Sequence, residues 1–426
     1  MSDLLRLKNL EHVSEYEEDD KLIIKVRSKR SSPERQCCLL VNFVRNGTKL
    51  KQRYRDEPIR RQTVLLEIDR QRYKCKECGK PVYEGLPDID LNHDMTKKLR
   101  VRIQKDAIEW PFSHAAEING VDDKQVERIF KAHAKRVLAS YVPKMPRVLG
   151  MDEIHIRKKA RFVLGDIENR AMLDMQMSRK KLSMERYFEP MPGRMDVEVV
   201  CQDMWKDYAA ITKKLFPNAV TVIDKYHVQR TSNYGMEVVR RLLQQDISTQ
   251  ARVKLKNKRG IFLGRWNDIQ PYTRNQMLAL FVEFPELRRA YDIKEGYYEI
   301  YDATSKAEAN EKMEWWLASL PKEYERPFKQ SRDALNNWRP YILNYWDHTY
   351  TNAYVEGLNK LIRKMNLQGV GYDLETLRAK ALLKHGNIVY EISEGLTRAG
   401  RRLPTRKRIN GLSLSTLEAD LEAGLF

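Results

Sequence analysis

The feature that most constrains the fold is a set of short apolar segments that each contain or end at an aspartate. Asp152 lies in VLGMDEIHI, Asp203 follows VEVVCQ and Asp224 follows AVTVI. Ligands bind at the carboxyl ends of the strands in an open α/β sheet, so we expect these acids at one sheet edge. Carboxylates brought together repel one another, and a divalent cation commonly keeps them ionised. Oxygen ligands favour Mg²⁺ or Mn²⁺ over Zn²⁺, and two such ions can promote phosphoryl transfer.

The order of elements around these acids indicates an α/β layer. From residue 148 the chain reads strand, strand, strand, helix, strand, helix, strand, and ends at AVTVID. Strands that alternate with short helices predict a partly parallel sheet. Beyond residue 228 the sequence is charged and helical to about residue 350, which indicates a helical segment of its own.

Charge indicates an anionic partner. The 426 residues include 78 Lys and Arg against 59 Asp and Glu, a formal net charge of +19, which favours nucleic acid as the partner. No apolar run approaches the roughly 18 residues of a membrane helix, and the first residues lack the basic-then-apolar order of a signal peptide. We therefore expect a cytoplasmic protein, nucleoid-associated when bound to DNA, with no membrane partner.

Cysteines in the strand-like N-terminal region indicate a metal site rather than disulfides. Cys75 and Cys78 have the C-x-x-C spacing of one half of a zinc knuckle. Cys37 and Cys38 are adjacent, and neighbouring side chains on a strand point to opposite faces, so both reach one ion only if the chain turns there. We predict one structural Zn²⁺ at Cys75, Cys78 and at least one of the other pair. The alternative is a vestigial knuckle held by its hairpins.

Residues 91–142 change to a helical period and predict three helices, with Gly120 at the second turn. Helix, short turn with glycine, helix is the signature of a helix-turn-helix. The alternative is three-helix packing without DNA contact. On the last helix, the predicted DNA-binding residues are Lys124, Gln125, Arg128 and Lys131.

An amphipathic helix is predicted over TNAYVEGLNKLIRKM. Its apolar face carries Val355, Leu358, Ile362 and Met365, and its opposite face carries Asn352, Glu356, Asn359 and Arg363. A glutamate beside a packing stripe can face the sheet edge, whereas a lone surface glutamate is usually a solvated charge.

Spaced motifs in MDEIHIRKKARF, in VVCQDMWKDYAAITKKLFPNAVTVIDKYHVQR and in TNAYVEGLNKLIRKMNLQGVGY occur in the order found in a known family. The chain resembles the ISL3 family of bacterial insertion-sequence DDE transposases over nearly its whole length. The resemblance implies an RNase H-like core whose catalytic and metal-binding triad is Asp152, Asp203 and Glu356, with Mg²⁺ or Mn²⁺ bound as two ions. It also implies double-stranded DNA partners, namely terminal inverted repeats and target DNA, and a homo-oligomer that is at least a dimer, because two element ends must be paired.

The second acid of the triad is open to choice, because Asp203 and Asp224 both end strands. An RNase H-like fold has its first and fourth strands adjacent and its fifth beyond the fourth, and neighbouring strands lie about 4.8 Å apart. We therefore assign Asp203 to the metal. Asp224 and His227 form a supporting D-x-x-H pair that resembles a motif of related transposases.

Further DNA contacts are predicted near the triad. Arg157 and Lys158 resemble a β-turn cluster that suits phosphate contacts and is equally explained as solvated turn charges. Asn359 and Arg363 lie on the face of Glu356 and are assigned to DNA. The sequence departs from the family at Cys37 and Cys38, where members usually have C-x-x-C. This departure counts against a four-cysteine zinc site.

The predicted fold class is multidomain α+β, with an RNase H-like α/β core interrupted by an all-helical insertion. The predicted segments are 1–90, a zinc-knuckle-like β region; 91–142, the helix-turn-helix; 147–227, the first part of the core; 228–350, the insertion; 351–395, the final core helices; and 396–426, a basic tail. The predicted function is metal-dependent DNA cleavage and strand transfer. Two alternatives stay open: a catalytically silent, transposase-derived DNA-binding regulator, and an RNase H-like nuclease that does not join strands.

Overall fold

A computed structural model describes residues 7–34, 38, 42–256 and 258–388. Its described residues form two compact units: 7–141 with 368–371 and 388, and 142–367 with 372–387. Cys37 and the predicted tail 396–426 lie outside the described residues. None of the described helices combines the length and the apolar character that a membrane span requires.

The first unit begins with a β-sheet. Its strands are β1 (Leu10–Glu18), β2 (Lys21–Ser28), β3 (Phe43–Ile59), β4 (Gln62–Cys75), β5 (Pro81–Tyr83), β6 (Ile89–Asp90) and β7 (Met95–Thr96). They are ordered β1-β2-β4-β3-β7-β6, with β5 paired to β4. Strand β3 runs through a charged stretch to Ile59, because antiparallel pairing with β4 supplies its hydrogen bonds. Cys38 lies in a bend rather than in a strand.

Three helices follow the sheet where the helical period predicts them. They are α1 (Lys97–Glu109), α2 (Phe112–Asn119) and α3 (Asp123–Leu138). Gly120 ends α2 in the left-handed conformation at φ 65°, which glycine adopts without steric cost. Asp122 then caps α3 by accepting a hydrogen bond from the Gln125 amide.

The second unit contains a mixed sheet whose elements follow the predicted order. They are β8 (Val148–Ile156), β9 (Lys159–Asp166), β10 (Ala171–Gln176), α4 (Lys181–Phe188), β11 (Val199–Gln202), α5 (Lys206–Leu215) and β12 (Val220–Ile223). The strand order is β10-β9-β8-β11-β12. Strands β8 to β10 pair antiparallel, and β11 is parallel to both β8 and β12. The sheet therefore places the ends of β8, β11 and β12 side by side.

The remainder of the second unit is helical. Its helices are α6 (Lys225–Asp246), α7 (Thr249–Leu255), α8 (Pro271–Glu283), α9 (Pro285–Glu299), α10 (Lys306–Ser319), α11 (Lys322–Glu325), α12 (Lys329–Leu343), α13 (Ala353–Gln368) and α14 (Leu374–His385). Helices α6 to α12 build an apolar core around Trp316, Phe328 and Leu335. One face of the sheet packs on α4 and α5 through Phe162, Phe188 and Tyr208.

Candidate active site

Acidic side chains from four elements meet at the edge formed by β8, β11 and β12. Asp152 lies within β8, Asp203 follows β11, and Asp224 follows β12 at the start of α6. Glu356 lies in the first turn of α13. The sheet order thus confirms that the strand of Asp152 is adjacent to the strand that precedes Asp203, with the strand of Asp224 one position further out.

His227, in the first turn of α6, lies among all four acids. Its Nδ1 is 3.3 Å from Asp203 Oδ1, and its Nε2 is 3.7 Å from Glu356 Oε1. The same Nε2 is 4.0 Å from Asp152 Oδ1 and 4.0 Å from Asp224 Oδ2. Asp224 belongs to the cluster although its strand is one position further from Asp152, since the His227 ring on α6 lies close to both acids. Ligand atoms of Asp224, His227 and Glu356 lie within 4.8 Å of one another.

The cluster holds negative charge that the protein alone does not neutralise. Burial raises the pKa of Glu356 to about 8, and the neighbouring charge of Asp224 adds to the increase. Burial likewise raises the pKa of Asp152 to about 6, with His227 opposing and the charges of Asp203 and Asp224 adding to the increase. The pKa of Asp224 is also raised by burial. Titratable groups perturbed together by burial and charge are typical of functional sites.

Two oxygen atoms in the cluster have no hydrogen-bond donor among the described residues: Asp224 Oδ2 and Glu356 Oε1. Buried polar atoms are normally paired, and an unpaired one in a native fold requires an explanation such as a bound ion. Carboxylate oxygens are hard donors that suit Mg²⁺ or Mn²⁺. The residues present therefore fit a divalent cation.

Two asparagines of α13 and the segment before it hold the acids in place. Asn359 Nδ2 donates to Asp152 Oδ2 at 2.8 Å, and the Asn352 backbone N–H donates to Asp224 Oδ1 at 3.3 Å. Asn352 Nδ2 also donates to the Met151 carbonyl on β8 at 2.9 Å. Asn359 is 2% exposed, so it lies under the site and orients Asp152, rather than on the DNA-facing surface expected from the sequence.

Two glycines let α13 approach the sheet. Gly150 on β8 and Gly165 on β9 are register partners. A Cβ atom at Gly150 would lie 2.6 Å from Val355 Cγ2 and 2.7 Å from Asn352 Oδ1, and one at Gly165 would lie 2.9 Å from Val355 Cγ2. Any side chain there would push α13 outward and carry Glu356 away from Asp152. Sequence reasoning did not identify these glycines, nor the central position of His227.

The other predicted DNA contacts are placed as follows. Lys124, Arg128 and Lys131 are exposed on α3 and recur every three or four residues, which places them on one helix face. Gln125 is half-buried, and its side chain donates to the His93 carbonyl at 3.0 Å. Three of the four expected residues therefore share an exposed surface.

Near the acids, Arg157 and Lys158 form the turn between β8 and β9, with φ of 52° and 62°. Both are exposed, and the Arg157 guanidinium donates to the Tyr372 carbonyl at 2.7 Å. Arg363 is exposed on α13. Lys158 and Arg363 are thus placed for contact with a ligand in solution, whereas Arg157 also anchors the turn.

Cysteines of the first unit converge as the C-x-x-C spacing suggests. Sγ atoms of Cys38, Cys75 and Cys78 lie within 4.8 Å of one another. The Sγ atoms of Cys38 and Cys75 are 3.9 Å apart. Structural zinc takes four ligands in a tetrahedral arrangement, and these three thiols fit that ion in part.

Comparisons with known proteins bear on the identity of this site. The family model for ISL3-type DDE transposases, described as "Transposase", matches residues 149–381. The transposase for insertion sequence element IS1001 of Bordetella parapertussis is 24% identical over 334 residues, which cover 75% of this chain and 80% of the relative. The family match begins in β8 and ends in α14, so it spans every acid of the cluster.

Proposed function

The chain belongs to the ISL3 family of transposases, and from that premise we propose that it is the DDE transposase of an insertion sequence. It binds the terminal inverted repeats of its element, cleaves a DNA strand and transfers the freed end to target DNA. The observation that carries this proposal is the cluster of Asp152, Asp203, Asp224 and Glu356 around His227 at one sheet edge.

The proposed metal ligands are Asp152, Asp203 and Glu356. Divalent ions bound there would supply an activated nucleophile and stabilise the leaving oxygen of the phosphodiester. Asp224 and His227 are proposed as supporting groups: Asp224 accepts from the Asn352 backbone, and His227 spans the acids on both sides. Asn359 fixes the orientation of Asp152 by donating to its carboxylate. Ionising all of these carboxylates is unfavourable in the protein alone, and their ionised state becomes favourable once cations are bound.

An RNase H-like core is proposed for the second unit. The order β10-β9-β8-β11-β12, with three antiparallel strands and two further parallel ones, supports it. The helical segment α6 to α12 separates β12 from α13 and matches the proposed insertion before the glutamate. In this interpretation, Gly150 and Gly165 leave room for α13, because a side chain at either position would keep the helix off the sheet.

DNA recognition is proposed for α1 to α3, with α3 as the recognition helix. The exposed residues Lys124, Arg128 and Lys131 on one face support this assignment, since the recognition helix of such a motif reads the major groove. A structural Zn²⁺ at Cys38, Cys75 and Cys78 would link the segment before β3 to the turn between β4 and β5. A homo-oligomer, at least a dimer, is part of the proposal, because two element ends are processed together. We propose a cytoplasmic location, with nucleoid association when DNA is bound.

The test is cleavage of a labelled duplex that carries the native element end, with Mg²⁺ or EDTA. Wild type is compared with Asp203→Asn and Asp224→Asn, and all three are assayed for binding to the same duplex. Cleavage and joining by wild type, lost in Asp203→Asn with binding retained, would support the proposal and the assignment. Loss confined to Asp224→Asn would exchange the roles of the two aspartates. Binding without cleavage by wild type would favour a regulator, and cleavage without joining would favour a nuclease.

A further inference from the structure

The hairpin that joins β3 to β4 ends in two consecutive arginines. Strand β3 ends at Ile59 and β4 begins at Gln62, so Arg60 and Arg61 are the whole loop. Both have left-handed backbone conformations, with φ of 49° and 70°, and both are exposed. Neither makes a hydrogen bond or ion pair with any described residue, and two nearby acids are engaged elsewhere: Glu57 with Lys98 at 2.5 Å, and Glu17 with Gln62 at 3.1 Å.

Arginine is an unusual choice for this loop. Two-residue hairpin loops with positive φ at both positions strongly prefer Asn-Gly or Asp-Gly, because other side chains are strained there. The neighbouring hairpin between β1 and β2 meets the same requirement with Asp19 and Asp20, and aspartate tolerates this conformation better. Strained residues that a fold could replace cheaply are often kept for a function. Two unpaired cations at the tip indicate an anionic ligand.

The hairpin is attached to the turn that precedes α3. The Arg55 guanidinium on β3 donates to the Gly120 carbonyl. A Cβ atom at Gly120 would lie 3.3 Å from Thr63 Oγ1 and 4.0 Å from Pro58 Cγ. The loop therefore projects only two residues beyond the part of the hairpin that contacts the α2–α3 turn. Gly120, in that turn, lies four residues before Lys124.

The dimensions of duplex DNA allow both features to be used at once. Strand residues rise about 3.3 Å each, so the tip extends roughly 7 Å from the contact before the arginine side chains are added. The major groove is about 12 Å wide, and a recognition helix enters it with its N-terminal residues on the bases. The tip thus lies within about one groove width of the turn that leads into α3.

We propose that Arg60 and Arg61 are a second DNA contact, which binds the sugar–phosphate backbone beside the groove entered by α3. This inference rests on the proposed function, because it presupposes that α3 binds DNA. The contact is with phosphates, so it adds affinity and fixes orientation without reading sequence.

The test replaces the loop with the pair that the turn prefers, Arg60→Asn with Arg61→Gly, in the full chain. If the arginines served only to form the turn, this variant would keep its DNA affinity and have an equal or higher Tm. We expect an equal or higher Tm but weaker DNA binding. Binding is measured by anisotropy on the element-end duplex and on a random duplex of equal length. Two lost phosphate contacts reduce the slope of log K against log salt by about 1.8, which is up to about 60-fold in affinity at 0.1 M salt.

Two controls separate charge from turn geometry. Arg60→Lys with Arg61→Lys should retain the wild-type salt slope. Asp19→Asn with Asp20→Gly makes the same turn change at the neighbouring hairpin and should leave binding unchanged or tighter. Wild-type affinity and slope in the Asn-Gly variant would overturn the inference and leave the proposed function standing. Absence of DNA binding by wild type would overturn both.

Discussion

Replacing Glu356 with glutamine should make the metal-free protein more stable at alkaline pH. The change keeps the shape of the side chain and removes a charge that the cluster disfavours. In the folded chain the pKa of Glu356 is about 8, against an ordinary 4.5. A carboxyl group whose pKa is raised by folding does not lower the free energy of unfolding at pH values below its ordinary pKa. Above that value, the free energy of unfolding falls as the pH rises through the pKa of the folded state. The difference between glutamine and wild type therefore develops between pH 4.5 and pH 8.

The magnitude follows from the same values. A difference of 3.5 (8 − 4.5), at about 1.4 kcal/mol for each tenfold change in proton affinity, sets an upper limit of about 5 kcal/mol. The Glu356 side chain is 21% exposed, so water relieves part of this cost, and we expect about 2–3 kcal/mol above pH 8. For a folding unit of this size, that corresponds to an increase in Tm of roughly 4–12 °C.

The assay is thermal unfolding in EDTA from pH 5 to pH 9. Glu311→Gln, an exposed glutamate on α10, is the matched control and should show no comparable pH-dependent gain. Added Mg²⁺ should stabilise wild type by mass action and reduce or reverse the advantage of Glu356→Gln. If the glutamine variant were no more stable relative to wild type at pH 9 than at pH 5, the charge-repulsion account of the cluster would be refuted.

Three further predictions follow from the packing and the ligand sets. Gly165→Ala should lower the free energy of unfolding by about 1–3 kcal/mol through overpacking and reduce cleavage, and Val355→Ala in the same chain should restore part of both; lack of any restoration would contradict the close-approach argument. Asn359→Ala removes a hydrogen bond that favours the charged form of Asp152, so the pKa of that acid rises, and the acidic limb of the pH–rate profile should move to higher pH in the presence of saturating Mg²⁺. Cys75→Ser should lose bound zinc in metal analysis of the purified chain and lower the Tm, whereas retention of a full equivalent would assign zinc elsewhere.

The order of elements in the second unit could be predicted because each leaves a local signal. Apolar runs such as VEVVC and the helical period of KDYAAITKKLF identify β11 and α5 without reference to the rest of the chain. Strand β3 was harder, since most of its length is charged and exposed, and its pairing with β4 rather than its own pattern defines it. Cys38 turned out to lie in a bend, where the alternation argument for adjacent cysteines does not apply.

Long-range contacts explain the rest of what the sequence did not show. Gly150 and Gly165 look like ordinary strand glycines, and only the approach of Val355, some 200 residues away, shows why no side chain fits. Asn359 lies on the polar face of α13, which sequence reasoning treats as exposed. In the fold this part of the face lies against the sheet edge, so the Asn359 amide bonds to Asp152 instead of water.

The two candidate aspartates differ most in their access to a ligand. The Asp224 side chain is 3% exposed, and the Asn352 backbone occupies one of its oxygens, so it ties the start of α13 to β12. The Asp203 side chain is 37% exposed and accepts a hydrogen bond from the Met204 amide. A catalytic ion must keep coordination positions open to the scissile phosphate and its nucleophile, and an exposed carboxylate holds its ion on the side from which DNA approaches. Exposure therefore favours Asp203 as the acid that shares its ion with substrate, with Asp224 beneath it holding Glu356 at the edge.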